Sequence, residues 1–347
     1  MMRRVAFVLA VCILFAAPRA MAQYGVLDTP TLLIRTTPLR PSPGDTVHVS
    51  VESPLVDLSH NTITWIIDGV ELVSESGATT VSIIAGKLGS DTKIVVVAQT
   101  ESGPVRTEAH MIPAEVDLLY DANSYVPPFY MGRALPSPAS SVRLHANARV
   151  AKPGSGTIPP EQLIYTWRRN GAVLSRMSGK GKVSITVPAP TLYGTDVFSV
   201  EAATSDGGIA AESTVMIPAT EPIVVLFEDN PLFGIRYRNA LDASVQFFGS
   251  ELTVAAVPFF ALANSPADQR LRYVWRVNGA DIPPDEDRPD EITFGTESGG
   301  GRADVRLELT HATDLLMESF VETKLIFTGG GRGTGQGTSN PFLRQER

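Results

Sequence analysis

Cysteine is almost absent from this sequence. Its one copy, Cys12, lies in the N-terminal leader described below, so the chain beyond residue 22 has none. That excludes a disulfide scaffold, cysteine-held zinc and a cysteine nucleophile. Basic charge is also scarce. The leader carries three arginines and no acids, and without it the net charge falls from −8 to about −11. A nucleic-acid binder would show the opposite, a clustered basic excess. No stretch of 12 or more residues has a clear helical period with caps. Gly-x-Ser-x-Gly, His-Glu-x-x-His, P-loop and Gly-x-Gly-x-x-Gly motifs are all missing. The five histidines, at 48, 60, 110, 145 and 311, are scattered, and His48 alternates with Val47 and Val49 as a solvent-facing strand residue would. No catalytic residues are assigned.

At 43% hydrophobic and 19% charged, the 347 residues can bury a core. Their number suggests two or three domains. Arg3 and Arg4 precede an apolar run from Val5 to Ala17, followed by Ala20-Met21-Ala22. This reads as a secretory signal with Gln23 as the first mature residue. No later segment approaches 18 apolar residues, so no membrane span is expected after cleavage. The expected address is secreted: extracellular, cell-surface or periplasmic.

All three tryptophans sit in one local pattern. The three copies are Ile63-Thr64-Trp65-Ile66-Ile67-Asp68-Gly69, Tyr165-Thr166-Trp167-Arg168-Arg169-Asn170-Gly171 and Tyr273-Val274-Trp275-Arg276-Val277-Asn278-Gly279. A period of about one small domain indicates tandem domains. The alternation suits a half-buried strand, and Asp-Gly or Asn-Gly supplies the positive-φ residues of a tight hairpin. Asp91 to Pro113 and Asp196 to Pro218 also repeat without a gap, each reading strand, turn, strand, with Gly89 and Gly194 in register. In the third copy Val305–Leu309 and Phe320–Phe327 fit these strands, with one helical turn expected over Asp314–Ser319. Val116 to Asn123 further resembles Ile223 to Asn230. Boundaries are placed near Pro113 and Pro218, where a residue without an N–H suits a strand end. The expected division is a signal at 1–22, domains at 23–113, 114–218 and 219–328, and a Gly-rich flexible tail at 329–347.

Strand, Trp, two residues and Asn/Asp-Gly resembles the C strand and C–C′ turn of immunoglobulin-like domains. Pro41-Ser42-Pro43-Gly44-Asp45-Thr46-Val47 resembles the entry to strand B in bacterial Ig-like and PKD-like repeats. The layout over roughly residues 31–328 is similar to secreted tandem Ig-like proteins of candidate-phylum (Parcubacteria-type) bacteria, and the resemblance extends to the Phe-Glu-Asp-Asn-Pro-Leu-Phe-Gly stretch at 227–234. The PKD-type Trp-Asp-Phe-Gly-Asp-Gly motif and the B–F disulfide are missing. The resemblance implies an all-β chain of three tandem immunoglobulin-like sandwiches, with Trp65, Trp167 and Trp275 packed between sheets. It carries no activity.

Three further features bear on function. Hard cations such as calcium take six to eight oxygens. The acidic stretch with Asp285, Asp287 and Asp290, and the entry-loop acids Asp121, Glu228 and Asp229, are candidate ligands. Extended solvated loop and turn capping are the competing readings. Tyr125, Phe129, Tyr130, Phe233 and Tyr237 are candidate stacking platforms, against packing of the long A–B connections. Phe342-Leu343 after the Gly-rich spacer is weighed as a docking peptide against a disordered end. The expected function is non-catalytic: binding or spacing a protein or glycan of the envelope or surface, by adhesion or a structural role. The alternatives are a glycan-binding module and accessory domains of an envelope-assembly or hydrolytic system.

Overall fold

The computed structural model describes residues 31–128, 130–295 and 300–328. The signal, Phe129 and the 329–347 tail lie outside the described residues. Apart from two single-turn 3-10 helices, Leu58–His60 and Pro160–Gln162, the regular structure there is strand.

In the first sandwich, Leu33–Thr37, Thr46–Glu52 and Thr80–Ile84 form one antiparallel sheet. Val70–Ser76, Thr62–Ile67, Thr92–Thr100 and Gly103–Met111 form the other. The second sandwich repeats this plan. Glu115–Ala122, Ser141–Arg149 and Ser184–Pro188 face Ala172–Val173, Ile164–Arg169, Thr195–Ala203 and Ala210–Pro218. Alternation explains the packing. In Ser141–Arg149 every second residue, Val142, Leu144, Ala146 and Ala148, points into the core. The described residues form three immunoglobulin-like sandwiches in tandem.

The third sandwich elaborates the plan. Its first strand, Ile223–Asn230, pairs with Glu251–Phe259 and then folds back through a hairpin as Gly234–Ala240, adding an edge strand. Ser244–Phe247 next crosses to the other sheet and pairs parallel with Glu318–Thr328. Gly300–His311 is twelve residues long and Glu318–Thr328 eleven, both longer than their counterparts. The turn between them is closed by the Met317 amide donating to the Asp314 carbonyl. It is a single bonded turn and not the expected helical one, because the chain re-enters the strand at Glu318.

Each core is centred on its tryptophan. Trp65, Trp167 and Trp275 have no exposed surface. Each indole N–H also has a fixed partner, the carbonyls of Ala78 (2.7 Å), Lys182 (2.8 Å) and Pro289 (3.0 Å). Burying such a ring removes ~150–250 Å² from water, and pairing its one polar atom avoids the desolvation cost.

The turns after the tryptophans are equally regular. Asp68, Asn170 and Asn278 have φ of 50°, 52° and 51°, each followed by a left-handed glycine. The side-chain oxygen of each accepts an amide from the neighbouring strand: Lys93 at 2.7 Å, Val197 at 2.8 Å and Asp304 at 2.9 Å. Their own amides donate back to the carbonyls of Lys93, Val197 and Asp304. Asp or Asn is therefore needed twice, for tolerance of positive φ and for the acceptor.

Candidate functional site

The places where chemistry gathers are the two junctions between sandwiches. At the first, the turn Lys87–Ser90 presses on the second sandwich. Gly89 occupies its left-handed position, at φ 71°. A side-chain carbon there would lie 2.6 Å from the Ala151 methyl, so only glycine permits this approach. The Gly89 amide donates to Pro113, the Ala114 amide to Pro41, and Arg40 pairs with Glu201 at 3.2 Å.

At the second junction, the long connection after Ala122 reaches into the third sandwich. The Tyr125 amide donates to the Ala261 carbonyl and the Phe260 amide donates to the Tyr125 carbonyl, both at 2.7 Å. The Tyr125 ring packs on the core built around Trp275. Burial pushes its hydroxyl pKa up to about 12, with help from nearby Tyr237 and Asp290. Tyr130 meets Phe259 and Phe260 edge-on, at centroid distances of 5.8 and 5.9 Å.

These contacts locate the candidate platform residues. Tyr125 is half-buried against the third core, and Tyr237 packs on Phe227 at 5.5 Å. Tyr130 keeps one side exposed but is engaged by two phenylalanines. Phe233 is 81% exposed at the hairpin tip, beside Leu232. Phe129 lies outside the described residues. Tyr125 and Tyr130 pack their connection onto the third sandwich and Tyr237 packs within it, a distinction that adjacency in sequence does not carry.

The acidic residues also separate. Asp285 accepts the amides of Asp287 and Arg288, at 2.8 and 3.0 Å, and caps its own loop. Asp287 is exposed. Asp290 departs from the solvated-loop reading: it is buried, one carboxylate oxygen has no hydrogen-bond partner, and Arg288 stands 3.6 Å away. Burial raises its pKa, opposed by Arg288. Asp121 is exposed, Glu228 is held by Arg236 at 3.1 Å, and Asp229 is half-buried. No three of His, Cys, Asp and Glu come together as metal ligands among the described residues.

His48 and His145 enter cross-strand pairs with serines. His48 and Ser82 meet with Nδ1 and Oγ 2.9 Å apart, and His145 and Ser184 at 2.6 Å. Both pairs sit on exposed faces at equivalent places in the first two sandwiches. Neither ring is hydrogen-bonded to a carboxylate among the described residues, so neither pair has the third group of a triad.

Sequence reading missed a cleft of about 680 Å³ at the second junction. The turn Thr191–Gly194 of the second sandwich forms one wall, closed by the Gly194 amide donating to Thr191. Its left-handed position holds Tyr193, at φ 61°, and not a glycine. The aligned Gly194 is one position later, so equal spacing in the repeat hides a shifted turn. Tyr193 is 82% exposed, and a hydrogen bond to Glu221 raises its hydroxyl pKa. The other wall carries Leu315, Leu316 and Phe320, with Arg306 stacked 5.3 Å from the Phe320 ring.

No protein-family model matches the chain, and no curated protein matches it. Among solved structures it is similar to three N-terminal domains of the bacteriophage RB49 highly immunogenic outer capsid protein (14% identity, 87% of this chain and 99% of that one, TM-score 0.26). It is also similar to the central fibronectin-III array of RIM-binding protein (14%, 86% and 97%, TM-score 0.28). A third is SGBP-B of the Bacteroides ovatus mixed-linkage glucan utilization locus, in complex with a mixed-linkage heptasaccharide (12%, 86% and 70%, TM-score 0.22).

Proposed function

We propose that this chain is a non-catalytic secreted or surface protein whose three sandwiches bind or space partners of the cell envelope. The observation that carries the reading is the fastening of consecutive sandwiches to one another. Tyr125 shares two main-chain hydrogen bonds with the third sandwich and buries its ring there, and Gly89 lets the first sandwich press on the second. Independent binding modules need only a loose linker. A fastened series holds its ends at a fixed separation, as a spacer requires. Partners would meet the exposed loops, edge strands and the junction cleft.

The test is made on native cells. Intact cells are treated with a membrane-impermeant crosslinker and with external protease. A spacer of the surface is cut from outside and captured with an envelope component. Recovery solely as an uncrosslinked protein in the medium would overturn the reading.

A further inference from the structure

The cleft at the second junction exposes large apolar side chains. Leu315 is 92% exposed, Leu316 55% and Phe320 65%, and Tyr193 faces them from the other wall. Contiguous exposed apolar surface of this kind marks an interaction site. Tyr193 adds a second signal. A bulky residue at φ 61° is strained, and the residue at this strained turn position is an exposed tyrosine lining the cleft. The cleft's charge is acidic: Glu221, Glu308 and Glu318 against Arg306. Glu308 already accepts from Arg276 and Arg306, whereas Glu221 accepts only from the neutral Tyr193 hydroxyl among the contacts described, so the negative charge of Glu221 and Glu318 faces an incoming cation.

The sequence holds a segment of matching character. Beyond the last described strand, Phe342 and Leu343 are followed by Arg344, Gln345, Glu346 and Arg347. This is an apolar pair beside net positive charge, in a chain whose overall charge is −8. It is also within reach. The described chain stops at Thr328, and Phe320 lies eight residues back along the same strand, roughly 26 Å at ~3.3 Å per residue. The fourteen residues from 329 to Phe342 span at most roughly 46–50 Å.

We propose that the cleft between the second and third sandwiches is the docking site of the chain's own segment 340–347. Phe342 and Leu343 lodge among Tyr193, Leu316 and Phe320, and the arginines face Glu221 and Glu318.

Cys12 is the one native cysteine, so once it is replaced by serine an engineered pair supplies the only thiols. The full-length Cys12→Ser chain carrying Leu316→Cys with Leu343→Cys is oxidised at low concentration and compared with the same chain carrying Phe248→Cys with Leu343→Cys. Phe248 is exposed and follows Phe247, which pairs in register with Phe327, so an undocked tail meets it first. Docking predicts an intramolecular 316–343 disulfide forming about ten-fold faster than the 248–343 control. Equal or slower formation would overturn the proposal, and disulfide-linked dimers would overturn its intramolecular form. Hydrogen exchange is a second measurement, independent of the engineered thiols. Phe342→Asp with Leu343→Asp is expected to speed amide exchange over 315–320 several-fold. Unchanged exchange there would count against docking.

Discussion

The main-chain amide of Phe260 donates to the carbonyl of Tyr125 at 2.7 Å, and the Tyr125 amide returns a bond to Ala261. This reciprocal pair ties a connection of the second sandwich to a loop of the third, 135 positions further along the chain. The ring of Tyr125 then completes a core that belongs to its neighbour.

Tyr125→Ala is expected to destabilise the third sandwich while leaving the first unchanged. Truncating a half-buried aromatic should cost about 2–4 kcal/mol, just under the range for fully buried rings. Denaturant unfolding followed by domain-resolved hydrogen exchange measures it. Equal loss in all three sandwiches would show that Tyr125 does not act at this junction alone.

The three tryptophans separate packing from hydrogen bonding. Trp167→Ala should cost about 3–5 kcal/mol and unfold the second sandwich. Trp167→Phe keeps most of the apolar burial but strands the Lys182 carbonyl, at a cost of about 1–3 kcal/mol. Thermal melts of the two variants against the parent chain give the ordering. An unchanged melt for Trp167→Ala would remove the residue from the core.

The turn residues make two contributions that substitution can split. Asn278→Gly retains φ near 51° but loses the oxygen that accepts the Asp304 amide, so about 1 kcal/mol should go. Asn278→Ala loses the oxygen and adds left-handed strain of ~1–2 kcal/mol. Asp68→Asn should be nearly neutral, since the other two copies already use Asn there. Chevron or equilibrium denaturation resolves differences of this size.

Asp290 and Asp268 give the third sandwich opposing pH dependences. Burial holds the folded pKa of Asp290 above its ordinary value of 3.8. Its favourable contribution is therefore complete below 3.8 and is lost as pH rises through the folded value. Asp268 is the reverse: hydrogen bonds from Arg270 hold it far below 3.8, despite partial burial. Its contribution is present above 3.8 and lost as pH falls. At neutral pH Asp290→Asn should stabilise and Asp268→Asn should destabilise, and both differences should shrink in acid. Melting temperatures across pH 2–8 decide the signs.

Much of the fold was legible because it depends on local rules. Alternation at Ile63, Trp65 and Ile67 gives a strand with one buried face, and Asp68-Gly69 gives its turn. Repetition of that pattern gives three sandwiches. The indole acceptors were not legible, because Ala78, Lys182 and Pro289 are backbone carbonyls at offsets of 13, 15 and 14 with no common side chain. Nor was the cleft. Gly89 and Gly194 align, yet only Gly89 is left-handed, and the second turn gives that position to Tyr193.

The sequence by itself determined the strand periods, the tight turns, the tandem repeat and the absence of thiol chemistry beyond Cys12. Each follows from side-chain type at short spacing. Tertiary structure alone decided that Tyr125 serves the next sandwich, that Asp290 is buried, and that Tyr193 and Leu316 face one cleft. Those facts depend on how separate sandwiches meet, and contact across a junction has no period to read along a chain.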